Sequence, residues 1–319
     1  MKKNLGLLLL LCSACAITTI LNERFLNPIN IENLLRRSAL FSLLSIGVSF
    51  VITSGGIDLA IGSMVCLVGT LLPWLCVEQG FHPTLAILLL LSLASLLGLA
   101  HGLFITKLKL QPFIVTLCGL LLYRGVTRGI TGDQTQGFGM SYDALRSIGL
   151  TRFSLGGLSP VEIPSIVCIA GLIAIFAGLA MNYMPFGLKL RSVGRNEIAA
   201  YYSGLKTDRL RCIAYILSAL LAGLGGIFFI LDVNSAQPSD FGNFYELYAI
   251  AAAVLGGCNL RGGEWSISGI LIGTMLMQVL RNAIVLLDIP TQLEFAIIGL
   301  VILIGVSAEE IFKKMRASA

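Results

Sequence analysis

Long apolar segments alternate with short polar ones along almost the whole chain. Most of them approach the ~20 residues that an α-helix needs to cross a hydrocarbon layer of about 30 Å. The pattern predicts an all-α polytopic membrane protein of about ten transmembrane helices, two of its segments being broken by glycines. Eight crossings are the main alternative, because the segments beside the breaks are short. The predicted crossings are residues 1–21, 38–52, 64–77, 84–106, 112–130, 163–183, 212–231, 244–255, 267–287 and 291–306.

The two glycine-rich breaks interrupt sequence of membrane depth. The first, residues 53–63, reads TSGGIDLAIGS, and the second, residues 255–264, reads LGGCNLRGGE. Adjacent glycines end a helix and leave backbone groups that need polar partners. Asp58 has two interpretations, a residue on a solute path or the N-cap of the helix that follows. The likeness of the breaks is compatible with two related halves, but the match is too short to decide it.

The polar segments set the expected orientation. Residues 184–211 carry six basic residues against two acidic ones, which predicts a cytoplasmic loop. Within it, residues 197–202 favour a short helix between Gly194 and Gly204. The nearly neutral segment 131–162 predicts an external loop, and the polar residues 22–37 predict an interfacial helix that ends at Arg36 and Arg37. Basic residues near both ends of the chain predict cytoplasmic termini.

Composition strengthens the membrane assignment. Of the 319 residues, 56% are hydrophobic and only 12% are charged, against roughly 25% charged in an average soluble domain. The net charge of +5 comes from short loops beside apolar segments. Topology explains such charges, so we expect membrane lipid and not nucleic acid around this chain. The eight cysteines lie mostly in or beside apolar segments, where packing is the simplest role.

The chain lacks the residues that several kinds of chemistry require. The chain contains no G-x-x-x-x-G-K-[ST] motif, so we expect no ATP hydrolysis by this chain alone. His82 and His101 are isolated, which argues against a metal site, a cofactor or a catalytic base, and favours helix packing for His101. The predicted crossings are nearly free of charge, unlike those of ion-coupled carriers. A partner docked on the 184–211 loop is therefore the favoured energy source, and a self-sufficient secondary carrier or channel is the alternative.

Five ordered motifs give the chain a resemblance to a known family. They are SGGIDLAIGS (54–63), LQPFIVTLCGLLLYRGV (110–126), GRNEIAAYYSGL (194–205), AQPSDFGNFYELYAIAAAVLGGCNLRGG (236–263) and the glycine-containing helix that follows. Together they resemble the permease subunits of ribose-type ABC importers, in the branched-chain amino acid and ribose permease family. The resemblance implies one integral membrane permease domain over residues 1–319, in the bacterial inner membrane, with about ten helices.

The resemblance also implies partners. They are a second permease subunit, identical or related, a cytoplasmic ATP-binding subunit and a periplasmic sugar-binding protein. The solute would be a ribose-like monosaccharide, with autoinducer-2 as the second candidate. No cofactor is implied.

The family match assigns residues to two roles. By resemblance, the segment 194–204 is the helix that couples the permease to the ATPase. Its expected coupling residues are Gly194, Asn196, Glu197, Ala199, Ala200 and Gly204, with Asn196 as the helix N-cap. Residues expected near the translocation path are Asp58, Asn234, Gln237 and Asn259. Arg195 stands where the family often has a second glycine, which leaves open whether it joins the ATPase contact or only adds positive charge.

Overall fold

The fold is a bundle of helices, and the described residues include one pair of two-residue strands. The computed structural model describes residues 5–154, 161–301, 303 and 307. Residues 294–301 are helical, and β1 (Arg152–Phe153) pairs antiparallel with β2 (Ile163–Pro164). The named helices are α1 (Leu5–Leu21), α2 (Pro28–Thr53), α3 (Ile61–Pro73), α4 (Pro83–Thr106), α5 (Pro112–Thr131), α6 (Asp143–Leu150), α7 (Ser165–Asn182), α8 (Pro185–Arg195), α9 (Glu197–Tyr202), α10 (Thr207–Val233), α11 (Tyr245–Leu255) and α12 (Ile267–Leu286).

The prediction of an all-α polytopic membrane protein is confirmed. Seven of the described helices are long and apolar enough to cross a membrane, α3 being extended to Glu78 by a π-helical turn. Two further apolar helices, α1 and α11, are shorter. The count of ten crossings stays a prediction, because its last segment, 291–306, is only partly described. The basic residues that predict cytoplasmic termini lie outside the described residues.

Helix α2 lies at the centre of the bundle. It packs against α7, α10, α11 and α12, and its most apolar 18-residue window is 83% buried. In α4 and α5 the corresponding windows are only 22% and 28% buried, and both helices expose many leucines. Hydrophobic side chains that face outward in this way suit contact with lipid. The bundle therefore has a closely packed interior and an apolar outer surface.

The predicted interfacial helix over residues 22–37 is wrong. Helix α2 begins at Pro28 and runs through this polar segment without a break. Two of its charged side chains are covered by other parts of the chain: Arg36 contacts Asp232 at 2.8 Å, and Glu32 contacts Arg152 at 2.8 Å. Ion pairing makes the burial of these charges tolerable. The polar segment is thus one end of the central helix.

Helix α10 extends from one end of the molecule to the other. Its 27 residues span about 40 Å at ~1.5 Å per residue. Helices α8 and α9 lie at its beginning, at what we call the α9 end. Residues 131–153 lie against its last turns at the opposite end, where Gln136 pairs with Ala236 and Gly149 approaches Leu231. The predicted loops 184–211 and 131–162 are therefore on opposite ends, although residues 155–160 lie outside the described residues.

Candidate functional site at the junction of the glycine-rich breaks

The short helix α9 has the bounds that the sequence predicts, Glu197–Tyr202. Asn196 caps it, as predicted, because its Oδ1 accepts a hydrogen bond from the Ala199 amide at 2.9 Å. This bond satisfies one of the amides that a helix start leaves free. Gly204 follows the helix with φ of +84°, a left-handed conformation that glycine adopts without strain. Local sequence thus defines both ends of α9.

The residue before this cap, Gly194, touches both glycine-rich breaks. A Cβ atom on Gly194 would overlap the Thr53 carbonyl oxygen at the end of α2 and lie 2.6 Å from the Gly263 amide nitrogen. The Gly263 amide donates to that same Thr53 oxygen at 2.9 Å. Three distant segments of the chain therefore meet at one backbone contact. We call the contact among Thr53, Gly194 and Gly263 the glycine junction.

The glycine junction follows from the way α2 ends. A helix leaves its last carbonyl groups without intrahelical partners, and inside a membrane protein they must find others. The second break supplies one such partner because Gly262 and Gly263 both have positive φ, +89° and +81°. Trp265, just after this glycine turn, also bonds to α2, because its Nε1 donates to the Ser49 Oγ at 2.8 Å. The two breaks are thus bonded to each other.

The two faces of α9 differ sharply. Ala200 is only 5% exposed and faces the bundle, whereas Ala199 is exposed. Ile198, Tyr201 and Tyr202 are 70%, 66% and 84% exposed. Sequence reasoning overlooked these three residues, although a six-residue helix that buries Ala200 has to turn its neighbours outward. Large apolar groups gathered on a loop segment are typical of a protein contact.

Two charged side chains lie beside α9, and one of them forms an ion pair with it. Glu197 pairs with Arg211 on α10 at 2.9 Å, so this predicted coupling residue joins α9 to the bundle. Arg195 is exposed, and a Cβ on Gly263 would overlap its Cγ. The stem of Arg195 therefore lies over the glycine junction.

Asp58 lies in the first break and is buried, with 2% exposure. Its Oδ1 accepts from the Ala60 amide at 3.0 Å, and its Oδ2 accepts from the Ser218 hydroxyl on α10 at 2.7 Å. The N-cap of α3 is Ala60, so the interpretation of Asp58 as that cap is wrong. The carboxylate instead stabilises the turn before the helix and joins it to α10. A role on the solute path stays a prediction.

The other predicted path residues lie in two different places. Asn234 accepts from the Phe138 amide at 2.9 Å, and Gln237 donates to the Asp133 carbonyl at 3.1 Å, both at the end opposite α9. Asn259 lies near the α9 end, where its Oδ1 accepts from the Arg261 amide at 3.0 Å. Among the described residues, no hydrogen bond joins any two of the four predicted path residues.

Buried polar side chains are more numerous than the sequence suggested. Glu32, Arg36, Asp58 and Glu246 are all less than 9% exposed, and of these four only Glu246 lies in a predicted crossing. His101 packs between helices as predicted, and its Nε2 shares a hydrogen bond of 2.7 Å with the Tyr123 hydroxyl. In the part of the chain that the structure describes, no three acidic, histidine or cysteine residues form a group suited to a metal ion.

Comparison with known proteins agrees with this architecture. Residues 30–306 match the model of the family described as branched-chain amino acid transport system, permease component, and the chain belongs to this family. No solved structure matches the chain significantly.

The chain is also similar to curated permeases. It is 38% identical to the ribose import permease protein RbsC of Bacillus subtilis, over 91% of this chain and 87% of that protein. It is 33% identical to RbsC of Escherichia coli K12, over 91% and 88%. A xylose transport system permease protein, XylH of Escherichia coli K12, is 29% identical over 91% and 87%.

Proposed function

We propose that this chain is the transmembrane permease subunit of an ABC importer that carries a ribose-like monosaccharide across the bacterial inner membrane. Membership of a transport permease family and similarity to permeases named for ribose and xylose import support this proposal. The energy comes from a separate ATPase. The chain itself then needs no ATP site, in agreement with its lack of a phosphate-binding loop.

The exposed face of α9 is the observation that carries the ATPase contact. Ile198, Tyr201 and Tyr202 project from a segment rich in basic residues, as expected for the cytoplasmic side. Aromatic side chains are common anchors at protein interfaces. Among the predicted coupling residues, Ala199 is placed to join this contact, whereas Ala200 and Glu197 hold α9 on the permease.

The glycine junction would transmit movements of the docked ATPase to the transmembrane helices. A displacement of α9 acts through Gly194 on the end of α2 and on the turn between α11 and α12. Packed backbone transmits such a displacement because it cannot be compressed. The coupling role of Gly194 and Asn196 is therefore to keep α9 short, ordered and in direct contact with both breaks.

The remaining partners follow from this orientation. With α9 in the cytoplasm, residues 131–153 face the periplasm, where a sugar-binding protein delivers the solute. The path runs between this chain and a second permease subunit, which is either an identical copy or a related chain. Both termini are cytoplasmic in this arrangement.

The ATPase contact is tested with Tyr202→Asp in the assembled transporter. We expect the ATPase subunit to be lost from the purified complex. ATP-driven uptake of D-ribose into proteoliposomes should fall at least tenfold. Tyr202→Phe keeps the ring and should behave like the wild-type protein. Met140→Asp places the same charge on a residue that is 96% exposed at the opposite end, and should retain the ATPase.

Two results would contradict the proposal. Normal ATPase association and uptake by Tyr202→Asp would exclude α9 as the contact. Uptake of D-ribose by the permease reconstituted alone would favour the self-sufficient carrier or channel.

A further inference from the structure

A polar cavity of about 350 Å³ lies at the end of the bundle opposite α9. It opens between the first half of α2, the last half of α12 and the end of α10. Its walls include Arg36, Asp232, Gln278, Arg281, Asn282 and Glu294. None of these residues belongs to the predicted path. The volume is at the small end of the range of about 300–1,000 Å³ found for ligand pockets.

Two buried side chains in this cavity have unused donors. Arg36 is 8% exposed, and its NH1 group donates to Asp232 at 2.8 Å. Its Nε and NH2 groups make no hydrogen bond with the described residues, nor does the Nε2 amide of Gln278, which is 2% exposed. A buried donor without a partner is unfavourable, because it has lost its hydrogen bonds to water. Both residues line the cavity, so a small shift of either side chain would bring an unused donor to an oxygen atom of a ligand.

The charges in the cavity favour a neutral ligand. Arg36 is paired with Asp232, and Arg281 is paired with Glu294 at 2.7 Å. Both of these cations are compensated, so an anion would compete with a carboxylate for each. Arg37 also lines the cavity, but it is exposed, where solvent and salt screen its charge. Hydroxyl groups can accept from the free donors and also donate to the carboxylates. A small polyol uses both kinds of group, whereas an apolar ligand would use neither.

We propose that this cavity binds one neutral, monosaccharide-sized polyhydroxylated solute, held by the free donors of Arg36 and Gln278. The inference rests on the proposed import function, since the solute is the one that the transporter carries. The cavity would then be a binding site that the solute occupies during transport, within a single permease subunit. Asn30 and Asn282 exchange two hydrogen bonds at 2.7 and 3.1 Å and form a firm polar wall beside it.

Uptake measurements test the role of Gln278. In cells that contain the whole transporter, Gln278→Leu should lower the uptake of radiolabelled D-ribose at least tenfold at equal amounts of assembled complex. Ser45→Ala is the matched control, because Ser45 is also buried on α2 without a hydrogen-bond partner among the described residues but does not line the cavity. It should keep uptake within twofold of the wild-type value. Equal uptake by Gln278→Leu and wild type would overturn the proposal.

A labelling experiment tests the cavity without altering Gln278 or Arg36. Asn33 lines the cavity and is exposed, so a membrane-impermeant maleimide should label purified Asn33→Cys permease. D-ribose or D-xylose should slow this reaction several-fold but leave Gln134→Cys, in the 131–154 segment, unaffected. The wild-type protein gives the background of the eight native cysteines. Protection by sulfate alone, or by neither sugar, would overturn the proposal.

The two experiments separate failure of the cavity from failure of the proposed function. If wild-type cells import D-ribose but the sugars do not protect Asn33→Cys, the function stands and the cavity proposal falls. If wild-type cells import neither ribose nor xylose but a sugar protects Asn33→Cys, the cavity binds sugar and the proposed import function is wrong for these sugars.

Discussion

Substituting Gly194 with alanine tests the glycine junction directly. Gly194 lies in the last turn of α8, and in an ordinary helix alanine is more stable than glycine by about 0.5–1 kcal/mol. Local sequence therefore predicts that Gly194→Ala stabilises the protein. The tertiary structure predicts the opposite, because the new methyl group would overlap the Thr53 carbonyl and approach the Gly263 amide.

The expected size of the effect has two parts. Separating Gly263 from Thr53 leaves a buried donor and acceptor unsatisfied, which costs about 1–3 kcal/mol. Forcing a methyl group into a packed contact costs about 1–3 kcal/mol more. Both neighbours of the methyl group are backbone atoms, so little relaxation is available. We expect the free energy of unfolding to fall by about 1–5 kcal/mol, the helix propensity of alanine offsetting a small part of the loss.

Two other glycines provide matched controls. A Cβ on Gly125 meets no atom within 4 Å, so Gly125→Ala should leave stability equal or slightly raised. Gly204 has equally open surroundings but a φ of +84°, so Gly204→Ala carries only backbone strain, about 1–2 kcal/mol. Equilibrium unfolding in mixed micelles should rank Gly125→Ala highest, then Gly204→Ala, then Gly194→Ala. If Gly194→Ala were at least as stable as Gly204→Ala, the reasoning would be refuted.

Two further substitutions address the connections around the junction. Trp265→Phe removes the hydrogen bond to Ser49 while keeping an aromatic ring, so we expect the free energy of unfolding to fall by about 1 kcal/mol; an unchanged unfolding midpoint would contradict the importance of this bond. Arg211→Met breaks the pair with Glu197, which should cost under about 1 kcal/mol because the pair is partly exposed. Its larger effect should be a severalfold fall in ATP-driven uptake, and full uptake would show that the pair does not position α9.

The candidate site was predictable where its causes are local. The bounds of α9, its cap at Asn196 and the turn at Gly204 depend on neighbouring residues, and each agrees with expectation. The predicted set of coupling residues could not separate Ala199 from Ala200. Which of two adjacent alanines faces outward depends on how α9 rests on α10, and sequence spacing does not contain that information.

The charged residues show a second limit. Arg36 follows polar sequence, which suggested an interfacial position, but its partner Asp232 lies at the end of α10. Burial of Arg36 is tolerated only because the fold brings that carboxylate to it. A hydropathy pattern measures the cost of burying a charge without its partner, and so it misplaced the start of α2.

The sequence by itself determined that this chain spans a membrane, where its glycine-rich breaks fall and which family it belongs to. Those properties depend on apolar segment length, on residues adjacent in the chain and on ordered motifs. Only the tertiary structure decided that Thr53, Gly194 and Gly263 meet and that Arg36 and Gln278 share one cavity. Contacts between distant segments depend on how helices pack, and helix packing is set by shape and by partners that no single segment contains.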